Sequence, residues 1–110
     1  MRYYETTYVL AADVSPEDKE NLKSRFRNVI QKNGKLIKEE EWGRKRLAYP
    51  INHKEFGYYI YLFYEANNQC VSKLEQEMNL QADVLRYLSV KVDDPMPHLP
   101  KEELKKEQET

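Results

Sequence analysis

The apolar residues of this chain change their period in a fixed order, and that order leaves few folds open. From Tyr3 to Ala11 they alternate, with Tyr4, Thr6, Tyr8 and Leu10 on one face and Tyr3, Glu5, Thr7 and Val9 on the other. Both faces are partly apolar, which predicts a central strand. Ser15-Pro16-Glu17-Asp18 then starts a helix: Ser15 caps it, Pro16 takes its first position, and the acids sit in its positive first turn. Leu22, Phe26, Val29, Ile30 and Asn33 recur at spacings of three and four opposite Lys19, Lys23, Arg27 and Gln31, a core stripe with a solvated back. Gly34 suits the left-handed residue that ends such a helix.

A second strand is predicted from Lys35 to Ala48. Its middle, Lys38-Glu39-Glu40-Glu41, is too polar to bury on either face and is expected to project from the sheet. Leu36 or Ile37 would pin its start and Leu47 its end, while Pro50 stops the ladder and Ile51 to Phe56 connect to Gly57. Tyr58 to Glu65 is the most sheet-like run: Tyr58, Ile60, Leu62 and Tyr64 share one face, and Tyr59, Tyr61 and Phe63 the other. Asn67 or Asn68 caps a second helix with Val71, Leu74, Met78 and Cys70 inward, ending near Asn79 to Gln81. A last strand, Val84 to Val92, leaves its inward parity open.

Strand, helix, strand, strand, helix, strand is the split βαβ or ferredoxin-like order, an α+β fold with a four-stranded antiparallel sheet and two helices on one face. Ile60 and Leu62 belong against the helices. Tyr59, Tyr61 and Phe63 then form an exposed aromatic row on the uncovered face, as contact surfaces do. The fold hosts many activities, so function must come from its sites.

With 110 residues, 40% of them hydrophobic, the chain fits one domain, expected over residues 1–94. Residues 95–110, with Pro95, Pro97 and Pro100, read as an acidic tail, extended when free, in which Met96 and Leu99 could dock on a partner. The net charge is -1. Residues 93 to 110 carry six acids against three lysines, a charge of -3, which leaves residues 1 to 92 at +2. A mildly basic body behind an acidic tail follows, too weak a signal to establish nucleic-acid binding alone.

Cys70 is the only cysteine, so no internal disulfide forms, and no Cys/His set has zinc-ligand spacing. No apolar run approaches the ~20 residues of a membrane span, and Arg2-Tyr3-Tyr4-Glu5 is unlike a signal peptide. A cytoplasmic protein is expected. His53 and His98 lack a plausible nucleophile nearby and are read as solvent-exposed. Glu39, Glu40 and Glu41 alternate faces and cannot converge on a metal. Gly34, Gly43 and Gly57 are isolated, so there is no phosphate-binding glycine loop. The chain is expected to be no enzyme, with no cofactor, metal or small-molecule substrate.

Lys54-Glu55-Phe56-Gly57-Tyr58-Tyr59-Ile60-Tyr61 is superficially like the third-strand motif on which RNA-recognition domains stack bases. Glu55 and Tyr59 break it, and Phe56 and Tyr58 share parity with the core pair Ile60 and Leu62. Base stacking through that motif is therefore not expected. What remains for RNA is phosphate contact by cations: Arg44, Lys45, Arg46 and Lys54 around the second and third strands, with Arg2, Arg86 and Lys91 on flanking strands. In Trp42 to Ile51 three consecutive cations run into Leu47-Ala48-Tyr49-Pro50-Ile51, which anchors on the body while presenting charge. The plain alternative is a charged edge strand that deters sheet-to-sheet association.

Met1-Arg2 with Tyr4-Glu5, then Gly43, Arg46-Leu47-Ala48-Tyr49-Pro50-Ile51, Gly57-Tyr58 and Val90-Lys91 resemble the bacterial small-subunit ribosomal protein S6 family over about residues 1 to 95. The Arg-Leu-Ala-Tyr-Pro-Ile run between the second and third strands is the specific part. The resemblance implies a structural constituent of the small (30S) ribosomal subunit, binding the central domain of small-subunit rRNA together with ribosomal protein S18. It implies Arg2, Lys45, Arg46 and Arg86 as RNA-facing residues; Arg44, Lys54 and Lys91 rest on charge. The expected partner face is Tyr59, Tyr61, Phe63, Leu88 and Val90, with Met96 and Leu99 of the tail. The rival reading is a homodimeric regulatory domain of the same topology, pairing through its open sheet and binding an anionic effector at Arg44 to Arg46.

Overall fold

A computed structural model of the chain describes residues 2–51 and 53–93. Its elements follow the expected order: β1 (Arg2–Ala11), α1 (Pro16–Asn33), β2 (Gly34–Ile51), β3 (Lys54–Ala66), α2 (Asn68–Asn79) and β4 (Val84–Val92). The sheet runs β2-β3-β1-β4, antiparallel at every pairing. This is the ferredoxin-like fold. The expected tail, with Met96, His98 and Leu99, lies outside the described residues.

Both helices start as the sequence dictates. Asp18 N donates to Ser15 Oγ at 3.1 Å with Pro16 in the first turn, and Cys70 N donates to Asn67 Oδ1 at 2.9 Å. Leu22, Phe26 and Ile30 of α1 and Cys70, Leu74 and Met78 of α2 bury against Tyr4, Tyr8, Leu10, Ile60, Leu62 and Tyr64. Each large apolar side chain buried there contributes about 1.5–3 kcal/mol. Tyr58 packs at the margin of this core. Its parity with Ile60 is what excluded the base-stacking motif.

Four details differ from the sequence reading. Gly34 is not left-handed: φ is -178°, extended backbone. A Cβ there would lie 2.2 Å from the Glu65 carbonyl oxygen and 2.8 Å from the Ala66 Cβ, so glycine serves a close approach of β2 to β3. Strand β2 runs past Pro50 to Ile51, and β3 begins at Lys54, which leaves a shorter connection than expected. Pro50 is tolerated because β2 is an edge strand and its ladder is already irregular between Arg46 and Ile51. The acidic run does not project. Glu39 and Glu41 pair opposite Leu62 and Ile60, and so turn toward α1. There Arg27 meets Glu39 at 2.9 Å, while Lys19 and Lys23 meet Glu41 at 2.7 and 3.3 Å.

Register settles the parity of β4. Arg86, Leu88, Val90 and Val92 pair opposite Val9, Thr7, Glu5 and Tyr3, the side away from the helices, while Tyr87 and Ser89 oppose Tyr8 and Thr6 of the core side.

Candidate functional site

The helix-free face is a grid of paired rows. Gly43, Tyr59, Val9 and Arg86 cross the sheet in one row; Glu40, Tyr61, Thr7 and Leu88 form the next; Lys38, Phe63, Glu5 and Val90 the one after. Tyr59, Tyr61 and Phe63 lie on this face as expected, but the exposed aromatic row is corrected. Phe63 is fully buried, Tyr61 is 7% exposed and Tyr59 half-buried. Neighbouring side chains of the chain itself cover them. Tyr3 stacks on Phe63 with centroids 5.7 Å apart and planes 13° off parallel, and Trp42 stacks on Tyr61 at 5.2 Å and 10°. Ile37 and Val92 close the cluster.

On the helix-free face the exposed apolar groups stand at the sheet's borders. On β4, Leu88 is 61% exposed and Val90 49%. On β2, Trp42 is 42% exposed. Tyr61 donates from its hydroxyl to Glu5 Oε2 at 2.6 Å, and burial is the main cause that pushes its phenol well above the ordinary tyrosine value.

The seven candidate cations do not form one patch. Strand β1 pairs with β3 only as far as Ala11 and Gly57, so the β2–β3 hairpin extends beyond it from about Arg46 to Phe56. Arg44, Lys45 and Arg46 lie at the base of that extension on an edge strand, and all three are exposed. Their parity splits them. Lys45 pairs opposite Gly57 on the helix-free side, with Nζ 5.5 Å from the Trp42 centroid and 5.9 Å from that of Tyr59. Arg44 pairs opposite Tyr58, and its guanidinium lies 4.0 Å over the ring of Phe56. Lys54 closes the same corner but is engaged: its Nζ donates to Asp13 Oδ2 at 2.6 Å. That bond holds the Asp13 carboxyl below the ordinary carboxylate range. Arg86 is at the same end on the opposite edge. Arg2 and Lys91 lie at the far end, opposite Ala66 and Tyr4, with Lys91 Nζ 3.9 Å from Asp93.

Among the described residues no group of three or more His, Cys, Asp or Glu could hold a metal ion, and no helix is long and apolar enough to cross a membrane. His53 is exposed on the hairpin. The geometry offers two surfaces: a cationic hairpin corner and an apolar border strand.

The sequence matches the family described as Ribosomal protein S6 over residues 3–91. The chain belongs to the ribosomal protein S6 family. It is similar to the small ribosomal subunit protein bS6 of Caldanaerobacter subterraneus subsp. tengcongensis, 38% identical over 95 residues that cover 86% of this chain and 100% of that one. Against bS6 of Prochlorococcus marinus it is 42% identical over 97 residues, 86% of this chain and 77% of the relative. The crystal structure of 30S ribosomal protein S6 from Thermotoga maritima superposes with a TM-score of 0.81 at 26% identity, covering 97% of each chain. These S6 relatives are named as proteins of the small ribosomal subunit, not as enzymes.

One residue escaped the sequence reading as a site. Trp42 is carried onto the helix-free face by a shift of register between Glu41 and Gly43, and Gly43 has φ 85°. The signal was the glycine inside an otherwise regular strand.

Proposed function

We propose that this chain is a structural constituent of the small ribosomal subunit that binds the central domain of small-subunit rRNA together with ribosomal protein S18, and that it works on ribosomes in the bacterial cytoplasm. The observation that carries the reading is the division of labour between the two edges of the sheet. Arg44, Lys45 and Arg46 stand exposed on β2, and Leu88 and Val90 stand exposed on β4, with β3 and β1 between them. Cations on a protruding hairpin suit phosphates, which position a protein without reading sequence. An apolar strand edge suits a protein neighbour. The near-neutral charge of the chain fits a protein that meets RNA over only part of its surface.

Within this reading Arg2, Arg86 and Lys91 are outlying phosphate contacts, and Lys54 contributes through the corner it shares with Asp13. The protein-facing set is Leu88 and Val90 with Tyr59. Tyr61 and Phe63 support that face from beneath.

The test is assembly on a central-domain rRNA fragment with and without ribosomal protein S18. The triple variant Arg44→Ala, Lys45→Ala, Arg46→Ala is expected to weaken RNA binding with a shallower salt dependence, and Leu88→Asp to weaken S18 binding in the absence of RNA. Wild-type assembly by both variants would overturn the reading, as would a homodimer indifferent to RNA at low and high salt.

A further inference from the structure

Trp42 is the only tryptophan of the chain, and its ring is presented with unusual care for a half-exposed residue. It is the extra residue where β2 slips against β3, between the pairs Glu41 with Ile60 and Gly43 with Tyr59. A Cβ on Gly43 would meet nothing within 4 Å, so glycine is there for its left-handed backbone rather than for space. Two restraints then orient the ring. Nε1 donates to Glu40 Oε2 at 2.9 Å, and the indole lies parallel to Tyr61, itself anchored on Glu5. Over it stands the Lys45 ammonium, 5.5 Å from the indole centroid.

We propose that Trp42 is a stacking platform for an unpaired nucleobase of the RNA, with Lys45 taking the adjoining phosphate. The proposal rests on the rRNA-binding reading above and deepens it. An aromatic face with a cation beside it is complementary to a single-stranded nucleotide, which offers one π-face and one negative charge per unit. The ring's surroundings favour that occupant over an apolar side chain. The groups that meet it are Glu40, Tyr61 and Lys45, with Arg44 and Arg46 exposed on the other side of the same strand, whereas the exposed apolar pair Leu88 and Val90 lies across two strands on the other edge. The lysine stem is flexible, so its ammonium can leave the ring for a phosphate as the base arrives. The indole is already held in place, so little ordering cost attends binding. The failed recognition motif concerned Phe56 and Tyr58, which face the other way; Trp42 reaches this face through the register shift.

The test uses the full chain with ribosomal protein S18 and a central-domain rRNA fragment carrying 2-aminopurine at each unpaired position in turn. One position is expected to be quenched by the wild-type chain and by Trp42→Phe, and to stay bright with Trp42→Leu. Trp42→Leu is expected to weaken RNA binding about tenfold with an unchanged salt slope, and Trp42→Phe by no more than about threefold. Lys45→Ala is expected to lower the salt slope by about one. Wild-type affinity in Trp42→Leu, alongside weakened binding by the Arg44, Lys45, Arg46 triple alanine, overturns stacking and leaves the rRNA reading standing. Wild-type affinity in both overturns the two together. An equal loss of S18 binding by Trp42→Leu without RNA assigns the ring to protein and also overturns stacking. Should Trp42→Leu fail to fold, the wild-type quenching map decides alone, and the lack of any quenched position overturns the proposal.

Discussion

Arg27 of α1 grips a single oxygen of Glu39 on β2: Nε donates to Oε2 at 2.9 Å, Nη2 stands at the same distance, and Oε1 is buried with no hydrogen-bond partner among the described residues. The pair clamps the helix to the edge strand, and its remaining exposure screens it in part. Arg27→Ala is expected to cost about 1–2 kcal/mol by urea denaturation, because Glu39 loses its cation without regaining full hydration. In a double-mutant cycle with Glu39→Gln, the coupling is expected to be at least about 0.5 kcal/mol. Simple additivity would show that the clamp contributes nothing.

Two buried tyrosines make opposite forecasts. The Tyr64 hydroxyl bonds Thr6 Oγ1 at 2.8 Å, and Thr6 in turn bonds Ser89 Oγ at 2.8 Å. The Tyr8 hydroxyl is buried with no hydrogen-bond partner among the described residues. Tyr64→Phe should lose about 1 kcal/mol, while Tyr8→Phe should be neutral or stabilising, since it removes an unsatisfied polar group. Thermal or urea midpoints of the two variants check the sign. Burial pushes the Tyr64 phenol up to about 12, so its ultraviolet titration should fall well above the ordinary tyrosine value of about 10.

The glycines separate two kinds of constraint. Gly34→Ala drives a methyl into the backbone of β3 and is expected to cost about 2–3 kcal/mol. Gly43→Ala meets no atom and should cost about 1–2 kcal/mol through the left-handed backbone alone. Only Gly43→Ala should also shift the Trp42 emission spectrum, because the Trp42 ring depends on that turn of the chain.

Acid should loosen the clamp between α1 and β2. The bond from Lys19 holds Glu41 below the ordinary carboxylate range, as the bond from Lys54 does for Asp13. A carboxyl depressed on folding adds stability that is complete above its unfolded value, about 4, and is lost as pH falls through the lower folded value. Stability should therefore drop below about pH 4 more steeply than in Glu41→Gln. Denaturation midpoints between neutral and acid pH, compared for the two chains, test this, and parallel curves would refute it.

The strand and helix order was legible because each element carries its own period and caps, as Ser15 and Asn67 show. Apart from the backbone at Gly34 and the strand ends around Pro50, what failed was a matter of which side chain reaches which neighbour. The acids Glu39 and Glu41 are buriable only because Lys19, Lys23 and Arg27 line up across from them on α1. Spacings of four on a helix and two on a strand could have matched these rows, but only with the strand order in hand. The face of Tyr61 and Phe63 follows from strand parity, yet their covers, Trp42 and Tyr3, come from strands on either side of β3. The cations Arg44 to Arg46 were legible as a cluster. That Arg2 and Lys91 sit at the opposite end followed only from the pairing register.

The slips in β2 also govern what the outer margin of the sheet can recruit. Its pairing with β3 is regular from Lys38 to Glu41 and from Gly43 to Arg46, and breaks before, between and after those pieces. A foreign strand laid along it would lose register every few residues, so this margin makes a poor template for fibril growth. The β4 margin shows its one shift near its start, between the pairings of Val9 and Leu10, and is continuous from Arg86 onward. The molecule thus leaves one side available for adding a strand and spoils the other, which gives a crowded assembly a built-in polarity.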